Sequence, residues 1–323
     1  MKNVYLLVVI VLTLSFLLVP LLAVEDKSAN DKTPELKISY ERDSKAPQSF
    51  LVYDSESKKT ETIETTEYIV GVVACEMPAE YSEEALKAQA LAAFTYAYRK
   101  QLQKPKNSEY DITTDTSVDQ GYINIDGRKE KWKDKFDEYE KKAESAVKAV
   151  KNKIIVYNNE PILAVYHSIS SGKTETAANV WGTDYAYLQA ENSVGDLLSP
   201  DYLSEAEFSV DQFKEKLKAL DIQDSGDPAA YIGNCEKTES GTVKEISICN
   251  KKISGNDVRK VFGLRSAAFD ISYSQNKFKF TVTGHGHGVG MSQFGADYMA
   301  KQGSNCEEII AAYYRGTKIA ELK

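Results

Sequence analysis

"YIVGVVACEMPAEYSEEALKAQALAAFTYAYRKQLQ", residues 68–103, decides how the rest of the chain is to be read. Its second half is the clearest helix in the sequence. Ser82 stands where an N-cap belongs, and Glu83 and Glu84 place negative charge in the first turn, where the helix dipole favours it. Leu86, Ala90, Ala93 and Ala97 recur at helical spacing and offer a small-residue face for close packing. In the first half, the uncharged run 68–75 ends on Glu76, and Met77-Pro78 should stop or kink whatever precedes it. A carboxylate at the end of an apolar segment is either a surface acid or one whose surroundings perturb it.

Upstream, "SFLVYDSES" (49–57) reads as a strand and turn, and "KKTETIETT" (58–66) leads into a helix. Downstream, residues 131–153 read as a charged helix and 153–168 as a hairpin turning at Asn158-Asn159. Short helices follow over 209–220 and 254–264, with a strand over 242–249, a second hairpin over 269–284, then a glycine-rich loop and two helices. Helices and hairpins mix without a β-α-β rhythm, which predicts an α+β fold: one compact domain over 49–323.

The formal net charge is -8, and no arginine- or lysine-rich stripe offsets it, so a general nucleic-acid role is disfavoured. Twenty tyrosines suit sugar-binding or interface surfaces. Residues 4–24 carry no charged side chain and, at about 1.5 Å per residue, would cross a bilayer as a helix. Lys2 before this segment and Glu25 and Asp26 after it put the remainder outside the cell. A single-pass membrane anchor over 1–24 and a polar stalk over 25–48 are expected, with a cleaved signal ending near Ala23 as the alternative. Either way the domain is extracytoplasmic. A hairpin disulfide between Cys235 and Cys249 fits that compartment, while Cys75 and Cys306 read as buried thiols.

The three histidines are His167, His285 and His287. They could hold a catalytic zinc, although no H-E-x-x-H pattern or local fourth ligand accompanies them. "GHGHGVG" (284–290) implies close backbone approach to something and reads as a substrate-facing loop, with Ser292 and Gln293 offering polar groups beyond it. His167 and Ser168 are adjacent, a poor nucleophile–base pair in an extended strand. Lys173 is a carboxylate binder or a surface charge.

Taken together, "VVACEMPAEYSEEALKAQALAAFTYAYR" (72–99), "HSISSGKTE" (167–175), "LRSAAFDI" (264–271), "GHGVGMSQFGADYMAKQG" (286–303) and "EIIAAYYRGTKI" (308–319) resemble the stage II sporulation protein D family, from about residue 40 to the C-terminus. The resemblance implies a lytic transglycosylase that cuts peptide-stripped glycan strands of peptidoglycan between N-acetylmuramic acid and N-acetylglucosamine during engulfment. It implies no cofactor, residence at the cell membrane, and stage II sporulation proteins P and M as partners. Glu76 matches the family's catalytic acid. Lys87, Gln89, His167, Ser168, Lys173, His287, Ser292, Gln293 and Tyr314 are expected to bind substrate or support the site.

Two departures stand out. Phe94 occupies a position where the family usually has arginine, a role that Arg99 or Lys173 would have to fill. The stretch 107–122 lacks the histidine and cysteine of the zinc cluster found in some members, so no such metal is expected. Two other readings stay open: an enhancer of cell-wall amidases, and a histidine-zinc wall hydrolase.

Overall fold

The computed structural model describes residues 45–223 and 226–323. The apolar stretch 4–24 and the stalk up to residue 44 lie outside the described residues, among which no helix is long and apolar enough to cross a membrane.

The first elements are an antiparallel pair, β1 (Ser49–Asp54) and β2 (Lys59–Glu64), with β3 (Ile112–Thr113) parallel to β1 on its other side. The helix α1 (Thr65–Glu76) begins where the Glu64 carboxylate accepts the Glu67 N–H at 2.9 Å. It ends at Glu76 because Pro78 holds Met77 extended, at φ -125° and ψ 140°.

The helix α2 (Glu83–Gln103) is the hub. Ala85, Ala88, Ala90, Leu91, Ala92, Ala93 and Ala97 are all fully buried, so more than one face of it is covered, not the single small-residue face expected. Ser82 occupies the N-cap but makes no side-chain cap; its N–H instead donates to Asp297 Oδ1 at 2.7 Å. That bond ties the start of α2 to a helix more than 200 residues later in the chain.

The helix expected over 131–153 is divided into α3 (Ile125–Trp132) and α4 (Phe136–Ala149), because Lys133 takes a left-handed φ of 49° between them. Fully buried Arg128 locks α3 to its neighbours, with its nitrogens bonded to Glu67 and Glu140 at 2.8–3.1 Å. The hairpin β4 (Lys153–Tyr157) and β5 (Glu160–Pro161) turns at Asn158 and Asn159, both with positive φ. Next come β6 (Tyr166–His167) and α5 (Ala177–Trp181).

Residues 203–283 build a lobe with its own core. It contains β7 (Leu203–Ser209), α6 (Val210–Lys218), β8 (Ile232–Lys237), β9 (Val243–Ile248), β10 (Lys251–Ser254), α7 (Gly255–Phe262), β11 (Phe269–Ser274) and β12 (Lys277–Thr283). Two antiparallel sheets, ordered β11-β12-β7 and β10-β9-β8, enclose Phe213, Ile246, Phe262, Phe278 and Phe280. Cys235 stands opposite Ile246, not Cys249, and the two cysteines form no disulfide.

The chain then returns with β13 (Met291–Ser292), α8 (Gln293–Lys301), α9 (Cys306–Tyr313) and β14 (Lys318–Glu321). β13 pairs in parallel with β6, and β14 closes the free edge of β4. Helices α1, α4, α8 and α9 all pack on α2. The fold is therefore mixed α+β, as the sequence predicts, and the described residues fall in one compact unit.

Candidate active site

A groove of about 770 Å³ opens at the C-terminal end of α1. Glu76 lines it, together with Gln120 and Gly121 from the loop after β3, His167 at the end of β6 and Ser168 just after it, Arg259 from α7, and His285 and His287 from the glycine loop.

Glu76 is partly buried. Burial pushes its carboxyl above the usual carboxylate range, against two opposing influences: a bond from the Gly121 N–H and the charge of Lys131. The negative end of α1 also disfavours a carboxylate there. Lys131 sits over that end, donating to Ala74 O at 2.6 Å. The Gly121 bond, 2.5 Å to Oε1, fixes the carboxyl's orientation. It forms because Gly71, lacking a side chain, lets Tyr122 and Ile123 lie directly on α1, while Tyr122 stacks on Tyr68 at 5.3 Å.

The second acid lining the groove, Asp119, is already engaged. Its carboxylate pairs with Lys100 at 2.8 Å and accepts from Tyr96 Oη at 2.8 Å and Thr113 N at 3.0 Å. Tyr166, whose neutral hydroxyl donates to Gln120 at 3.0 Å, completes this wall.

The histidine wall comes from two distant segments laid side by side. Ile169 and His285 exchange backbone bonds of 3.0 and 2.7 Å, and β6 and β13 continue the contact. Gly284 and Gly286 have φ of 73° and 112°, and a Cβ at either would meet Ile169 O at 2.6 Å or His167 Cβ at 2.8 Å. The close approach implied by the glycine run is thus to the protein's own second motif.

Burial lowers the His167 pKa to about 4 and the His287 pKa to about 3, so both imidazoles are neutral at pH 7. His167 Nδ1 faces Val289 O at 3.1 Å, which makes Nδ1 the protonated nitrogen and leaves Nε2 a buried acceptor with no bonded partner among the described residues. His287 Nδ1 accepts from Val289 N at 3.1 Å. The two rings lie 5.8 Å apart. Among the described residues no group of three or more metal-ligating side chains is assembled.

Of the expected residues, the groove gathers Glu76, His167, Ser168, His287 and Gln293. The others lie behind it or away from it. Buried Gln89 receives a 3.3 Å bond from Gln293, and Tyr314 donates to Val165 O at 2.9 Å. Ser292 caps α8 and donates to Asp196 at 2.7 Å. Lys87 pairs with Glu83 and Glu84, and Lys173 with Glu239. Phe94 is buried against Phe50 and Tyr98 and lines a different cavity, beside Ile69 and Val147. Neither Arg99, bonded to Pro161 O at 2.5 Å, nor Lys173 lines the groove. Asp119, Tyr166, Trp181 and Arg259 all lie outside the motifs that carry the resemblance.

A family model described as SpoIID, stage II sporulation protein, matches residues 53–157, which include Glu76 and Gly121. Stage II sporulation protein D of Bacillus amyloliquefaciens is 37% identical over 281 residues, covering 85% of this chain and 80% of that protein. Its counterpart in Bacillus subtilis (strain 168) is 35% identical over 304 residues, covering 93% of this chain and 84% of that one. The chain belongs to the stage II sporulation protein D family, a family of sporulation proteins. A more distant relative is an amidase enhancer of Bacillus subtilis (strain 168), 26% identical over 77% of this chain and 40% of the enhancer.

Proposed function

We propose that the protein is a peptidoglycan lytic transglycosylase with Glu76 as its single general acid and base. The observation that carries this reading is the inequality of the two carboxyl groups in the groove. Glu76 is shifted toward its protonated form, whereas Asp119 is committed to Lys100, Tyr96 and Thr113. A hydrolase of the common kind needs two working carboxylates. Intramolecular attack needs one.

Protonated Glu76 donates to the glycosidic oxygen between N-acetylmuramic acid and N-acetylglucosamine as the bond to the anomeric carbon breaks. The resulting carboxylate takes the proton of the muramic acid 6-hydroxyl, whose oxygen closes on the same anomeric carbon to give a 1,6-anhydro end. Acid–base help of this kind is worth about 10²–10⁴ in rate. Neutral His167 offers Nε2 as an acceptor for a sugar hydroxyl without adding charge near the acid.

In this reading the substrate is the peptide-stripped strand, met outside the cell by a domain held at the membrane by residues 4–24. Stage II sporulation proteins P and M are its expected partners. Cleavage of such strands by the full chain, lost in Glu76→Gln, tests it. The amidase-enhancer reading, which rests on the distant relative, instead requires Glu76→Gln to retain full function while an amidase's rate depends on the added protein.

A further inference from the structure

Among the described residues no carboxylate pairs with Arg259. It is half-buried in the groove wall, and among the described residues its guanidinium makes one long bond, from Nε to Leu264 O at 3.4 Å. Burial lowers its pKa from the ordinary value. A cation removed from water is costly unless an anion pairs with it. The charge of Arg259 reaches all three histidines, whereas the cation acting on Glu76 is Lys131. The guanidinium therefore sits at the histidine end of the groove, apart from the acid.

Trp181 lines the same groove. One turn before Arg259, Asn256 donates to Val180 O at 3.4 Å, which joins α7 to the end of α5. The Trp181 ring contacts His287 at 5.1 Å, yet the residue remains 43% exposed at the groove edge. An exposed indole is a platform for the apolar face of a sugar ring.

We propose that Arg259 and Trp181 form a subsite for an acidic sugar, with the guanidinium pairing the free lactyl carboxylate of a peptide-stripped N-acetylmuramic acid and the indole covering the ring. This rests on the glycan-cleaving reading and adds what selects the substrate. While a stem peptide is attached, the lactyl carboxyl is a neutral, substituted amide. Removing the peptide exposes the carboxylate that the guanidinium fork can grip with two hydrogen bonds. The lobe 203–283 thereby contributes the specificity element, and the helices around α2 contribute the acid.

The test uses the full chain carrying Glu76→Gln, so that strands bind without being cut. Of the two tryptophans, Trp132 is 7% exposed and Trp181 43%, so quenching of Trp fluorescence reports this subsite. Stripped strands are titrated beside the same strands with their lactyl carboxyls converted to methylamides, and beside chitotetraose. Stripped strands should bind roughly ten- to a hundredfold more tightly than the methylamides, as expected of a charge-assisted pair. Arg259→Gln should abolish the difference, and Arg259→Lys should keep part of it. Equal affinity for acid and methylamide with Arg259 intact overturns the proposal and leaves the cleavage reading standing; so does a preference that survives Arg259→Gln. Failure to bind any of the three glycans overturns both.

Discussion

The Gly121 N–H meets Glu76 Oε1 at 2.5 Å, so the loop after β3 aims the acid that α1 presents. A methyl group at 121 would lie 2.8 Å from Cys75 Sγ and 3.1 Å from Glu76 Oε1. Gly121→Ala should therefore push the carboxyl off its line. The expected result is a loss of roughly 10²-fold in kcat with little change in KM, the scale of a small misplacement of a reacting group. Steady-state kinetics on stripped strands, beside a melting curve showing a folded variant, would check it.

Glu76 must start each turnover protonated, so activity should fall as pH rises through its raised pKa. Lys131 is one of the influences that lower that pKa. Lys131→Met should move the alkaline fall in kcat/KM to higher pH. A profile that stays put, or shifts toward acid, would mean that the titrating group is not Glu76.

Stability should carry the signature of buried His167 and half-buried His287. Their folded pKa values, about 4 for His167 and about 3 for His287, lie below the ordinary 6.5. The native state thus binds fewer protons than the unfolded state below pH 6.5, and this contribution is present above that pH and lost as pH falls toward 4. Raised Glu76 and Asp196 act in the opposite sense over the same range. The histidine share is therefore read as a difference: urea unfolding of His287→Gln should decline less between pH 6.5 and 4 than that of the wild type.

Asp196 joins the two motifs that form the histidine wall. It is fully buried and accepts from Ser170 N at 2.9 Å, Ser170 Oγ at 2.5 Å and Ser292 Oγ at 2.7 Å. Asp196→Ala would leave three donors unpaired out of water, and should cost roughly 3 kcal/mol in urea unfolding. A change under about 0.5 kcal/mol, the size typical of surface positions, would contradict this role.

Local chemistry made much of the fold legible. Proline fixed the end of α1, alanine spacing marked α2, and an asparagine pair marked the turn at Asn158-Asn159. Ser82 misled, because the choice between a side-chain cap and a bond to Asp297 depends on a helix brought in by tertiary packing. The site divided along the same line. Glu76 was visible from its neighbours in sequence, and His167 and His287 from their motifs. Arg259 and Asp119 were not, since whether a charged group meets an ion-pair partner is a property of packing. Ser292, Gln89 and Tyr314 are motif residues whose positions behind the groove no pattern reveals.

The central claim is that Glu76 cleaves the glycan without a water nucleophile. The direct measurement is to let the full chain digest peptide-stripped strands in water enriched in heavy oxygen and to weigh the new muramic acid ends. The account predicts ends lighter by one water, carrying no heavy oxygen, and absent with Glu76→Gln. Ends that retain the mass of water and carry the heavy isotope would contradict it and point to hydrolysis.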